Sequence, residues 1–124
     1  MAERIMVVED EPRIALDIEC ALEAEGLGSV GCVPNLCKAK QHLTEHPIEF
    51  ALIDSELAAE SAALVADHLR SVGTPFIVIT AASEAADWTK DVPVVEQPFD
   101  PENLARTIRR LCKVRWLVDC MRSA

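Results

Sequence analysis

Four side chains with chemical potential stand at the ends of apolar runs. Glu9 and Asp10 follow Ile5-Met6-Val7-Val8, Asp54 follows Phe50-Ala51-Leu52-Ile53, and Thr80 follows Phe76-Ile77-Val78-Ile79. A short unbroken apolar run bounded by polar residues is the pattern of a strand buried on both faces, as in the centre of a parallel sheet. Each of the four then stands where its strand leaves the core, and open α/β sheets bind their ligands outside the carboxyl ends of the strands. Carboxylates brought close together repel, and their pKa values rise unless a cation lies between them. Hard oxygen donors that leave room for water suit Mg²⁺. A carboxylate nucleophile beside such an ion and a hydroxyl is equipped to accept a phosphoryl group, here on Asp54. A single strand-end acid is ordinarily a helix cap or a solvated group; three acids and a threonine on three strand ends favour a shared site.

The elements that must position these groups follow from the remaining pattern. The first strand spans 4–9. Pro12 suits a first helical turn, and Ile14, Ile18, Ala21 and Leu22 recur at helical spacing until Gly26, which predicts a helix over 12–25. A weaker strand, 29–33, is broken by Pro34. Asn35 can cap a second helix with Leu36, Ala39 and Leu43 on one side, ending before Pro47. After the strand that ends in Asp54, a loop from Ser55 to Glu60 leads to a third helix with Leu64, Val65, His68, Leu69 and Val72 inward, stopped by Gly73. The stretch 81–91 has no sustained apolar period and reads as a loop or one marginal helical turn. Val92 to Glu96 is a fifth strand, and Asp100 with Pro101 opens a last helix, with Leu104, Ile108 and Leu111 inward, that runs to about 121. Alternating strands and helices with short connections imply a parallel sheet covered on both faces. The expected fold class is α/β: a flavodoxin-like, doubly wound, five-stranded parallel sheet of order 2-1-3-4-5.

The 124 residues suffice for a single domain with its own core, 1–124. No apolar run approaches the roughly 18 residues of a membrane span, and Met1-Ala2-Glu3-Arg4 is not a signal peptide, so a soluble cytoplasmic protein is expected. The net charge of -9 speaks against general nucleic-acid binding. That charge is uneven, with -14 over residues 1–105 and +5 over 106–124. Five cysteines, Cys20, Cys32, Cys37, Cys112 and Cys120, show neither C-x-x-C nor zinc-type spacing and read as reduced packing residues. His42, His46 and His68 form no ligand pattern; a histidine on an apolar stripe is more often packed or edge-exposed.

Val7-Val8-Glu9-Asp10-Glu11-Pro12, Leu52-Ile53-Asp54, Ile79-Thr80-Ala81 and Gln97-Pro98-Phe99-Asp100-Pro101 together resemble the successive signatures of the response-regulator receiver (CheY-like) domain of two-component signalling. They occur in that order and cover essentially the whole chain. The resemblance implies that Asp54 is the phosphoacceptor, that Glu9 and Asp10 hold Mg²⁺ with Asp54 and the backbone carbonyl of Glu56, and that Thr80 is the switch hydroxyl. It implies a sensor histidine kinase as phosphodonor, a downstream protein partner, and a signalling acceptor in place of a turnover enzyme. Within receivers the chain is most similar to the single-domain FATGUY group, through Pro75-Phe76, Thr80-Ala81, the Asp54-x-x-Leu57-x-x-Glu60 spacing and a contracted segment between Thr80 and Pro98. The fourth helix of that group is short or poorly ordered.

The pattern departs from the family at three places. Gln97 stands where receivers place a lysine that contacts the phosphoryl oxygen, so weaker phosphoryl stabilisation is expected. Val94 replaces an aromatic that reports movement of the threonine, and Ala58-Ala59 replaces the usual Pro or Gly after the acceptor. Gln97 also opens a second reading, a pseudo-receiver that binds partners without phosphorylation. A third, an Asp54-based phosphatase or a flavin carrier on the same fold, lacks both an Asp-x-Asp pair and a phosphate loop after strand one. Val114, Trp116, Leu117, Val118, Cys120 and Met121, interleaved with Arg115 and Arg122, extend past what the core requires. This helical extension, 113–124, either docks a partner or a second copy as a homodimer, or folds back on its own domain.

Overall fold

The computed structural model describes residues 4–55, 57, 59–80, 93–96 and 100–111, with the backbone alone at 29, 30 and 59–61. Strands β1 (Arg4–Val8), β2 (Gly28–Val33), β3 (Phe50–Asp54), β4 (Phe76–Thr80) and β5 (Val94–Glu96) alternate with helices α1 (Pro12–Ala24), α2 (Leu36–Glu45) and α3 (Ala59–Val72). A further helix occupies 101–111. The strands form one five-stranded sheet in the order β2-β1-β3-β4-β5, every pairing parallel, as the run pattern predicts.

The apolar runs are continuous because both faces of the central strands are covered. Every residue of β3 and of β4 is buried, as are Ile5 to Val8. Alternation along each strand divides them between two cores. Ile5, Val7, Leu52 and Ile79 meet Ile18 and Leu22 of α1 and Leu104 and Ile108 of helix 101–111. Met6, Val8, Ile53 and Val78 meet Ala39 of α2 and Val65 and Leu69 of α3. Fully burying such a side chain stabilises by about 1.5–3 kcal/mol, so the sheet centre is the rigid frame from which the strand ends project.

The helix boundaries follow local chemistry. Pro12 occupies the first turn of α1, the Glu11 side chain accepts from the Arg13 N–H, and Gly26 at φ +74° turns the chain after the helix. The Asn35 side chain caps α2 by accepting from the Lys38 N–H at 2.9 Å. Two details differ from the pattern-based expectation. Helix α3 begins at Ala59, inside the stretch read as a loop. Its buried stripe is Ala62, Val65, Ala66 and Leu69, which leaves Leu64 at 46% and Val72 at 52% exposure instead of inward. Small alanines at 62 and 66 let the helix approach the sheet closely, and residues 64, 68 and 72 then fall together on its flank. The expectations about Glu56, Ala58, the 81–91 stretch, Gln97 and the 113–124 extension lie outside the described residues.

Candidate functional site

Strand register brings the chemical groups together. Val8 pairs with Ile53, so Glu9, one residue on, comes beside Asp54, the last residue of β3. Asp54 pairs with Ile79, so Thr80 stands one step beyond it at the end of β4. Glu9, Asp54 and Thr80 are the buried polar residues among those described, at 3%, 3% and 4% exposure. Asp10 follows on the solvent side of the same rim and is exposed. The structure thus gathers the sequence-predicted Glu9, Asp54 and Thr80 at one end of the sheet, with Asp10 at its edge. Glu56 and Gln97 are outside the described residues.

Glu9 is held from several directions. Its backbone N–H donates to the Val33 carbonyl at 2.9 Å, and its own carbonyl accepts from Cys32 Sγ at 3.6 Å. Its carboxylate Oε1 accepts from the Glu11 N–H at 2.9 Å. Oε2, in contrast, is buried with no hydrogen-bond donor. A buried carboxylate oxygen without a donor is costly, and the acid responds by holding a proton. The Glu9 pKa is pushed up to about 8, first by burial, then by Asp54 as a hydrogen-bond acceptor and like charge, with Asp10 adding to it and the Glu11 N–H opposing.

Strand β3 ends in a turn. Ser55 N–H donates to Ile79 O at 2.9 Å, continuing the β3–β4 ladder one residue past Asp54, and Leu57 N–H returns to Asp54 O at 3.3 Å. Leu57 is itself buried and anchors the turn in the core shared with α3. The peptide unit that follows Asp54 is therefore held through both its carbonyl and its N–H.

Among the described residues, no three carboxylate, imidazole or thiol groups are already closed around an ion position. The donor set nevertheless fits Mg²⁺, which takes one or two carboxylates and keeps several waters. Oε2 of Glu9 is the specific fit: a buried, donorless oxygen beside a second buried carboxylate is relieved by a cation.

The sequence pattern assigned all five cysteines to packing; of the three described, Cys20 and Cys37 are instead exposed on their helices, and Cys32 does more than pack. It packs against the α1-side core, and burial, followed by the charges of Glu19 and Glu9, pushes its thiol up to about 11, so it stays a protonated donor toward the Glu9 carbonyl. A signal for that role would have required knowing the register of β2, which the sequence pattern alone leaves open.

At the opposite pole, below the amino ends of the strands, a cleft of about 510 Å³ is lined by Lys40, His46, Ile48, His68, Val72 and Thr74, among others. The rings of His42 and His46 pack together at 4.5 Å, a contact the sequence pattern did not suggest. Among the described residues, no helix is long and apolar enough to cross a membrane.

Comparison with known proteins agrees with this geometry. No protein-family model matches the chain. The chain is 32% identical over 114 residues to the phyllosphere-induced regulator PhyR of Methylorubrum extorquens, covering 87% of this chain and 43% of that protein. It thus spans well under half the length of the curated relative it matches. It is similar to the beryllofluoride-activated conformation of SdrG from Pseudomonas melonis, at 30% identity and a TM-score of 0.77, over 90% of this chain and 99% of that one. It also superposes on the anti-anti-sigma factor PhyR of Bartonella quintana, at 28% identity and a TM-score of 0.84, over 98% of this chain and 51% of that one. Solved response-regulator receiver domains share the fold at 17–20% identity. With its parallel sheet, its strand-end acids in register, and a relative matched over nearly its full length, the chain belongs to the response-regulator receiver (CheY-like) family.

Proposed function

We propose that this receiver accepts a phosphoryl group on Asp54 from the phosphohistidine of a sensor kinase and passes the signal on by protein contact. The observation that carries the proposal is the buried Glu9–Asp54 pair at the carboxyl rim of the sheet, with one Glu9 oxygen left without a donor. In the transfer, an Asp54 carboxylate oxygen attacks phosphorus, a P–O bond forms, the donor N–P bond breaks, and the donor imidazole takes up a proton. Glu9, Asp10 and Asp54, with the Glu56 carbonyl, would hold Mg²⁺. The bound ion supplies positive charge that offsets the build-up of negative charge on the phosphoryl oxygens. Glu9 must lose its proton to serve as a ligand; burial opposes that loss, and a bound cation would favour it. Thr80, at the adjacent strand end, donates its hydroxyl to a phosphoryl oxygen and couples modification to β4. Asp54 is an acceptor modified once per signal, not a turnover enzyme.

The output reading is a protein partner in the cytoplasm, in line with PhyR of B. quintana being described as an anti-anti-sigma factor. The single-domain FATGUY group is the subfamily whose pattern the sequence shares, and the 113–124 extension is the proposed contact segment for a partner or a second copy. Beryllofluoride, a phosphoryl mimic, tests the assignment in solution. Added with Mg²⁺, it should shift the amide resonances of Asp54, Ser55 and Thr80 in wild type and leave Asp54→Ala unchanged; equal shifts in the two proteins would remove Asp54 from the site.

A further inference from the structure

The acidic rim is shaped from the neighbouring strand. We infer that Cys32 is a positioning residue for Glu9: its thiol, donating to the Glu9 carbonyl, helps fix the backbone from which the donorless Oε2 is presented to a cation. This inference rests on the proposed metal site and names a residue of β2 that acts on it.

Three contacts define the arrangement. The Glu9 N–H is bound to Val33 O at 2.9 Å, the Glu9 carbonyl accepts from Cys32 Sγ at 3.6 Å, and Oε1 is occupied by the Glu11 N–H at 2.9 Å. Backbone donor, backbone acceptor and one carboxylate oxygen are thus committed, and Oε2 alone is left buried without a donor. Two of these contacts come from consecutive residues of β2, so that strand grips Glu9 at both ends of its backbone unit.

The register of β2 makes this grip available. Ile5 pairs with Ser29 but Met6 pairs with Gly31, so the ladder skips residue 30, a bulge that shifts every later residue of β2 by one. Cys32 consequently pairs with Val7 and shares its face, packing against the α1-side core, and Val33 pairs with Val8. Without the skip, Cys32 would pair with Val8 and lie on the other face of the sheet. Gly31, at φ +134°, supplies the backbone conformation the bulge needs.

A thiol is a weak donor, so its removal should shift cation affinity modestly without dismantling the fold. The test compares wild type, Cys32→Val, which keeps an apolar side chain and removes the donor, and Cys32→Ser, which keeps a donor. Mg²⁺ affinity is read by titration of the Glu9 and Asp10 amide resonances, and stability by the urea midpoint. The inference predicts about three- to fivefold weaker Mg²⁺ binding in Cys32→Val and restored affinity in Cys32→Ser. Should Cys32→Val fail to fold, Cys32→Ala removes the same donor without added bulk and is read in its place. Wild-type affinity in the donorless variant, or a Cys32→Ser protein as weak as Cys32→Val, would overturn the inference and leave the metal site standing. Wild type that shows no saturable Mg²⁺ response would overturn the metal site and this inference with it.

Discussion

Glu9 and Asp54 close two neighbouring parallel strands whose register pairs Val8 with Ile53, and both residues are 3% exposed. Two acids in that position work against the fold in the absence of a cation. Burial disfavours the charged form of Glu9, and the neighbouring Asp54 adds to the cost. Stability has been given up at this rim in favour of a site, which is the general expectation where a local rule of folding is broken.

The pH dependence of the metal-free protein follows from Glu9. Its folded-state pKa, about 8, lies above its ordinary value of 4.5, so between those values the folded protein holds a proton that the unfolded chain has released. Folding then takes up a proton, and the Glu9 contribution to stability falls as pH rises from about 4.5 to about 8, the reverse of a salt-bridged carboxylate. Thermal unfolding in EDTA should therefore give a falling Tm across that window, and Mg²⁺ should flatten the fall. Glu9→Gln, neutral at every pH, should raise metal-free stability at pH 8 by at least about 1 kcal/mol and abolish the Mg²⁺ effect. A Glu9→Gln protein less stable than wild type at pH 8 would contradict the account of a buried, donorless charge.

Gly31 should be intolerant of a side chain for conformational reasons. An added Cβ would meet the His42 ring at 3.5 Å, an ordinary contact, so space is not the obstacle. The obstacle is φ +134°, which L-residues rarely adopt. Gly31→Ala should cost about 1–3 kcal/mol in urea unfolding and weaken Mg²⁺ binding by loosening the grip of β2 on Glu9. An unchanged urea midpoint would show that the bulge adapts freely.

If Asp54 is the phosphoacceptor, position 97 should set how firmly the phosphoryl group is held. Gln97 stands in the sequence where the receiver pattern places a lysine; an amide can offer only a neutral hydrogen bond, and a charge-assisted bond is roughly twice as strong. Gln97→Lys should lower the half-saturating acetyl phosphate concentration by about five- to tenfold, as measured by the fraction of protein phosphorylated. No gain would mean that another group already neutralises the phosphoryl oxygens.

Much of this architecture is legible in the sequence. The unbroken apolar runs of β1, β3 and β4 identify the buried parallel strands, because a strand covered on both faces has no polar alternation to disguise it. The same runs locate Glu9, Asp54 and Thr80 at their ends. The inward face of α3 was less legible: Leu64 and Val72 are apolar yet exposed, while the small Ala62 and Ala66 are buried. Close approach of helix to sheet selects small residues, and hydrophobicity alone does not report it. The contact of Cys32 with the Glu9 carbonyl was not legible at all, because it depends on a one-residue skip in strand pairing that leaves no mark in the apolar pattern.

The most direct test of the central claim is the intact mass of the purified protein after treatment with acetyl phosphate, with Mg²⁺ and with EDTA. The account predicts the gain of one phosphoryl group with Mg²⁺, little or none in EDTA, and none in Asp54→Ala under either condition. A wild-type protein that stays unmodified with Mg²⁺ while a control receiver is labelled, or an Asp54→Ala protein labelled as fully as wild type, would contradict it.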